Sequence, residues 1–170
     1  MALAVSAAAA TTISKGTISA AVTSDGNCQI TADLLLHLDK AVDELSFPVP
    51  ANARGVTLNG QSAWTSPSGD AQLIKLDRLV GSMAGDVTLR IQYTIPNTVK
   101  YNEEGKLILT LPLMSGFLYP VDKLDFTVTL PGVNTVKPHF SSSYFLQSIE
   151  EDMTFSASGN TVTGSVAVQL

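Results

Sequence analysis

The stretch Asp86-Val87-Thr88-Leu89-Arg90-Ile91-Gln92-Tyr93-Thr94-Ile95-Pro96 alternates apolar and polar residues without a break. Val87, Leu89, Ile91, Tyr93 and Ile95 fall on one side of a two-residue period, and Thr88, Arg90, Gln92 and Thr94 on the other. A period of two puts successive side chains on opposite faces of an extended backbone, so this segment reads as a strand with one face in a core and one in water. The same pattern spreads outward from it. Leu107, Leu109, Leu111 and Leu113 alternate with Lys106, Ile108, Thr110 and Pro112, and Asn102-Glu103-Glu104-Gly105 forms the turn between the two segments. From Lys123 to Pro131 the inward set is Leu124, Phe126, Val128 and Leu130. Upstream, Ile18, Ala20 and Val22 lead through Ser24-Asp25-Gly26-Asn27 into Ile30, Ala32, Leu34, Leu36 and Leu38. An Asp-Gly turn between alternating runs is a strong hairpin signal.

Shorter strands fit at Leu45-Phe47-Val49, at Val56–Leu58 and over about Ala71–Leu76. Near the C-terminal end, Met153–Ala157 turns at Ser158-Gly159-Asn160 into Val162, Val166 and Val168. That makes about ten strands with no βαβ rhythm. Asp77–Met83 and Phe145–Asp152 each have room for a helical turn or two, and Thr135–Asp152 reads as a long connection. Burying one face of each sheet calls for an all-β, two-sheet antiparallel sandwich, immunoglobulin-like or related. Pro48, Pro50, Pro96, Pro112 and Pro131 fall at strand ends or edges, where a missing N–H costs least.

Composition agrees. The 170 residues suit one domain, 45% are apolar and only 15% charged, against about 25% charged in an ordinary globular chain. Intrinsic disorder is excluded. Thr, Val and Ile together make 40 residues, and β-branched side chains suit a pleated strand. A net charge of −5 with pI near 4.8 argues against nucleic acid as a partner.

The ends and the one cysteine bear on location. Met1–Ala10 is almost wholly Ala, Leu and Val, and Ala8-Ala9-Ala10 matches the small residues before a signal-peptidase cut, although a basic n-region is missing. Residues 1–12 are therefore expected to be a signal-peptide remnant or a disordered tail, and 13–170 a single sandwich domain. The alternating strand running up to Leu170 suggests a domain cut from a longer protein, its last strand offering an unpaired edge. The fragment is expected to be a monomer, with any multimer formed by edge pairing or terminal exchange. Cys28 has no partner for an intramolecular disulfide and points inward in strand register with Ile30 and Ala32, so a buried, inert thiol is expected. No stretch reaches the roughly 18 apolar residues of a membrane-spanning helix.

One run of residues carries a resemblance: Ile91-Gln92-Tyr93-Thr94-Ile95-Pro96-Asn97-Thr98-Val99, the acidic turn, Leu107–Leu113, and then Pro120-Val121-Asp122-Lys123-Leu124-Asp125-Phe126-Thr127-Val128-Thr129-Leu130-Pro131. Over Ile18–Pro131 the chain resembles the N-terminal domain of a family of predicted bacterial membrane proteins, known only as domain of unknown function number twenty-two hundred and seven. The resemblance implies a signal peptide, an extracytoplasmic β-rich domain with an early Asp-Gly hairpin, and transmembrane helices downstream. It brings no activity and no functional residue. Two features depart from the family pattern: Leu107-Ile108-Leu109 stands where the family has an aromatic-rich strand, and Phe47-Pro48-Val49-Pro50 replaces a basic stretch.

Candidate chemistry is sparse. His37 shares a strand face with Asp33 and Asp39, and a metal or acid–base site there needs a third partner from a neighbouring strand. An exposed polar strand face accounts for the same residues without chemistry. His139, beside Phe140 and Ser141-Ser142-Ser143, suggests a hydrolase, but no Gly-x-Ser-x-Gly elbow accompanies it. Asp25-Gly26-Asn27 and Glu150-Glu151-Asp152 lack the alternating oxygen ligands of a calcium loop. No cofactor or metal is expected. Trp64, in the polar segment Gln61–Pro67, is a candidate contact residue, with Tyr101, Tyr119 and Tyr144 as further aromatic platforms. The leading expectation is a non-enzymatic extracytoplasmic module of a membrane-anchored bacterial protein, touching a protein or an envelope component. A carbohydrate-binding or adhesion module is the alternative, and a hydrolase ranks behind both.

Overall fold

A computed structural model describes residues 11–39, 46–75, 84–105, 107–109, 111, 119–132 and 154–168. These residues hold thirteen strands and no helix: β1 Thr11–Val22, β2 Cys28–Leu38, β3 Ser46–Pro50, β4 Arg54–Leu58, β5 Gln61–Ser62, β6 Thr65–Ser68, β7 Ala71–Lys75, β8 Gly85–Ile95, β9 Val99–Tyr101, β10 Leu107–Leu109, β11 Val121–Thr129, β12 Thr154–Ser158 and β13 Thr161–Val168. The all-β class is as expected. The three strands beyond the expected ten, β5, β6 and β9, are short and lack alternation, so only their pairing defines them.

The strands form an eight-stranded sheet in the order β12-β13-β11-β1-β2-β8-β4-β5, a three-stranded sheet β3-β7-β6 and a two-stranded sheet β10-β9. Alternation decides which face of the large sheet is covered. Ile18 and Ala20 of β1, Ile30, Ala32, Leu34 and Leu36 of β2, Leu89, Ile91 and Tyr93 of β8, and Leu124, Phe126 and Val128 of β11 are all buried. They share one core with Phe47, Val49 and Ile74 of the three-stranded sheet, which lies over this face. Leu109 and Leu111, whose alternation calls for a place in the shared core, pack against its margin and are only partly buried. Leu107 stands opposite Tyr101 in the β9–β10 ladder.

Two features differ from a purely antiparallel sandwich closed by its last strand. β1 and β11 pair in parallel, Ile18 opposite Phe126 and Ala20 opposite Val128. A tight turn forces antiparallel neighbours, but all the strands from β2 to β10 lie between these two, and so long a connection permits either direction. Both strands step from one inward residue to the next over three positions, Ile13 to Gly16 and Val121 to Leu124, so the irregularities match and the ladder resumes in register. The approach there is close: a Cβ on Gly16 would sit 2.6 Å from Leu124 Cδ1 and 3.2 Å from Leu34 Cδ2. Second, β13 is not an edge. It lies between β11 and β12, and among the described residues the edge of the sheet on this side is β12. The Ser158-Gly159-Asn160 turn folds β12 back along β13, so the last strand gains a neighbour on each side.

Local chemistry fixes the turns. In the Asp-Gly hairpin, Gly26 takes φ 81°, a left-handed conformation open to glycine, and its N–H donates to Thr23 O at 3.0 Å. Asn59 and Gly60, at φ 50° and 80°, make the β4–β5 turn of the Asn-Gly type.

Candidate contact surface

The face of the large sheet turned away from the core is polar and solvated. Ladder register lines up Thr57, Gln92, Thr31, Ser19, Thr127, Thr163 and Ser156 across seven strands from β4 to β12. The Ser156 and Thr163 hydroxyls lie 3.2 Å apart, and Gln92 Nε2 donates to Thr31 Oγ1 at 3.5 Å. A second row is charged. Arg90 donates through Nε to Asp33 Oδ1 at 2.7 Å and through Nη2 to Asp33 Oδ2 at 3.1 Å, a bidentate pair across β2 and β8. Further along that row Asp125 accepts from the Ser165 hydroxyl and lies 3.3 Å from Lys123 Nζ, and those two contacts lower its pKa.

His37 finds its neighbouring-strand partner in Asp86, opposite it in the β2–β8 ladder. Its Nδ1 lies 2.7 Å from Asp86 Oδ1, and its Nε2 lies 3.3 Å from Asp39 Oδ1. The hydrogen bond to Asp86, helped by both negative charges, raises the imidazole pKa above its ordinary value. Asp33, grouped with His37 from spacing, is instead committed to Arg90. The cluster is a half-exposed ion pair on open sheet, and among the described residues no group of three His, Cys, Asp or Glu side chains has metal-holding geometry. Asp86 was not legible beforehand because its proximity depends on β2 pairing with β8, which local pattern does not specify.

The Asp25 turn is closed on itself. Its carboxylate accepts from the Thr23 hydroxyl and from Asn27 Nδ2 at 2.7 Å. Asn27 Oδ1 accepts from Asn97 N–H at 3.3 Å, and Gly26 O accepts from both the N–H and the hydroxyl of Thr98 at 2.9 Å. This polar staple between the β1–β2 turn and the end of β8 employs the oxygens that a cation would need. Cys28 is buried, and burial pushes its thiol up to about 11, the state of an inert thiol at neutral pH.

The aromatic candidates separate. Trp64 is 88% exposed, in the two-residue link between β5, the edge of the large sheet, and β6, an edge of the three-stranded sheet. Tyr101 is 75% exposed at the end of β9. Tyr119 is half-buried, packs against the core, and accepts from Ser46 N–H at 3.2 Å through its hydroxyl. Tyr144 lies outside the described residues, as do His139, Ser141–Ser143, Glu150–Asp152, Met1–Ala10 and the two segments with room for helical turns. The backbone next to Trp64 is tied down. Thr65 donates its hydroxyl to Gln72 Oε1 at 2.9 Å, and Gln72 Nε2 in turn reaches Pro50 O at 3.3 Å, Ala51 O at 2.7 Å and Ala53 O at 3.0 Å. The corner is therefore braced from β6 through β7 to the β3–β4 turn.

An all-β sandwich with one covered face, one polar open face and an aromatic corner is the class that the geometry defines. The chain belongs to the family described as predicted membrane protein (DUF2207), N-terminal domain, whose model matches residues 12–168. A search of curated proteins gave no match. Among solved structures, the M1 zinc metallopeptidase of Deinococcus radiodurans bound to a Tyr-Ser-Ala substrate is similar at 10% identity and a TM-score of 0.42, over 93% of this chain and 39% of that one. A two-domain M1 zinc metallopeptidase bound to L-tryptophan is similar at 12% identity and a TM-score of 0.44, over 95% of this chain and 40% of that one. The chain thus spans about two fifths of the length of these proteins.

Proposed function

We propose that this domain is the extracytoplasmic contact module of a membrane-anchored bacterial protein, without catalysis of its own. The family description supports membrane association. The observation that carries the contact role is Trp64, a large apolar side chain 88% exposed on a braced corner between two sheet edges. Leaving an indole in water forgoes the burial energy that aromatic side chains supply, and tryptophan is enriched among the residues that dominate interface energetics. The titratable groups on the open face support the non-catalytic reading, because His37, Asp86, Asp33 and Arg90 satisfy one another in ion pairs. The partner is a protein or an envelope component.

Retention of the purified domain on isolated cell envelopes tests the contact. Trp64→Ala is expected to reduce retention by about tenfold or more, the scale of an interface anchor, while Tyr119→Phe, which keeps the ring and its packing, leaves it unchanged. Equal retention of wild type and Trp64→Ala would remove Trp64 from the account. A glycan array separates the carbohydrate reading from the protein one: binding to a defined glycan that is lost in Trp64→Ala would favour sugar stacking at this corner.

A further inference from the structure

Among the described residues, the outer strands of the sheets are not equally protected. Natural sheets blunt their edges with proline, charge, bulges or shortness, since an unprotected edge pairs with another strand. β5 has two residues, β3 carries Pro48 and Pro50, and β6 carries Pro67. β12 has none of these devices. Thr154-Phe155-Ser156-Ala157-Ser158 contains no proline and no charge, and pairs with β13 over five consecutive positions without a register shift. Among the described residues it has a strand neighbour on one side only. The two-residue Gly159-Asn160 loop, with Gly159 at φ 58°, makes Ser158 and Thr161 the hydrogen-bonded pair that closes the hairpin. Alternation along the ladder then aims the N–H and C=O groups of Phe155 and Ala157 away from β13, toward the open side.

We propose that β12 is a self-association edge, which pairs antiparallel with β12 of a second copy about a two-fold axis at Ser156. In that register Phe155 stands opposite Ala157 of the second copy and Ala157 opposite its Phe155, so all four outward-aimed groups on each strand find partners. Moving the axis one residue either way lowers the number of hydrogen bonds that Phe155 and Ala157 supply. The strand is also self-complementary in chemistry: Ser156 meets Ser156, Thr154 meets Ser158, and no like charges face each other across the axis. The hydroxyl row of the open face then runs on from one copy into the next. A five-residue edge is a small interface, so the dimer is weak and reversible, of the class that forms at about 0.1–1 mM.

Cross-linking through one added cysteine in the 170-residue chain tests the register. A two-fold axis at Ser156 places the two Cα atoms at a spacing suited to a disulfide, whereas Ser158 and the mid-sheet Ser19 are far from their own copies. Under mild oxidation Ser156→Cys is expected to give a disulfide-linked dimer while Ser158→Cys and Ser19→Cys stay monomeric, and buried Cys28 does not compete. Sedimentation equilibrium supplies the second reading. Ala157→Pro removes an N–H that β13 does not use, and Ser156→Lys sets two charges on the axis; both are expected to abolish concentration-dependent dimerisation while the circular dichroism spectrum is retained. Cross-linking of Ser156→Cys no faster than of Ser19→Cys, or a dimer that survives Ala157→Pro, would overturn the proposal.

Discussion

Leu89 is completely buried at the centre of the core, whereas Leu109 only touches its margin. Replacing Leu89 by Ala removes transfer energy and leaves a cavity, at an expected cost of about 2–5 kcal/mol, while Leu109→Ala should cost less than about 2 kcal/mol. Chemical denaturation of the two variants checks the ranking, and an equal loss from both would mean that the core is misplaced. The same two residues mark what a two-residue period conveys. It gives the face on which a side chain sits but not how thickly that face is covered, and both leucines alternate equally well in the sequence. His37 makes a further prediction. Its pKa is raised in the folded state, chiefly by Asp86, so its stabilising charge is fully present below the unfolded value of about 6.5 and is lost as pH rises through the folded value. The denaturation midpoint should fall with rising pH in that window, and His37→Gln should flatten the slope there; an unchanged slope in His37→Gln would contradict the pairing.

At the scale of elements, the β1–β11 ladder is the feature least visible in sequence. Alternation marks both strands, but their adjacency and parallel direction depend on contacts across nearly the whole chain, which no local pattern encodes. Gly16 is its most sensitive position. An added methyl would press on Leu124 and Leu34, both fully buried, so Gly16→Ala is expected to destabilise by about 1–3 kcal/mol, the cost of overpacking. A thermal melt of this variant that matches wild type would show the two strands to be further apart. The turns, by contrast, are readable, since Asp25-Gly26 and Asn102–Gly105 each contain the residue types that their backbone conformations require, although the second joins β10 to the short β9 and not to the long alternating strand β8. The Gln72 brace was not. Its amide serves three carbonyls of one turn and one hydroxyl of β6, and nothing in Ala71-Gln72-Leu73 distinguishes it from an ordinary strand residue. Gln72→Ala should cost about 1–3 kcal/mol by taking the side-chain donor from the Ala51 and Ala53 carbonyls, and should quicken amide exchange at Ala51 and Ala53. Exchange there at the wild-type rate would remove the brace from the account.

At the scale of the whole molecule, the fold divides its labour between a core face closed by the three-stranded sheet and an open face of hydroxyls and ion pairs, with Trp64 at the corner where two sheet edges meet. The class of fold followed from alternation because each strand must bury one face. The use to which the open face is put did not, because a solvated polar face and a contact surface have the same composition. The central claim is that these surfaces face the cell exterior. Cysteines placed at two exposed positions, Ser19→Cys on the open sheet face and Asp70→Cys in the β6–β7 turn, give the most direct reading when the whole membrane protein is expressed in bacterial cells. With the native thiol buried, a membrane-impermeant maleimide applied to spheroplasts with intact inner membranes is predicted to label both positions at once. Labelling only after the membrane is permeabilised would place the domain in the cytoplasm and contradict the account.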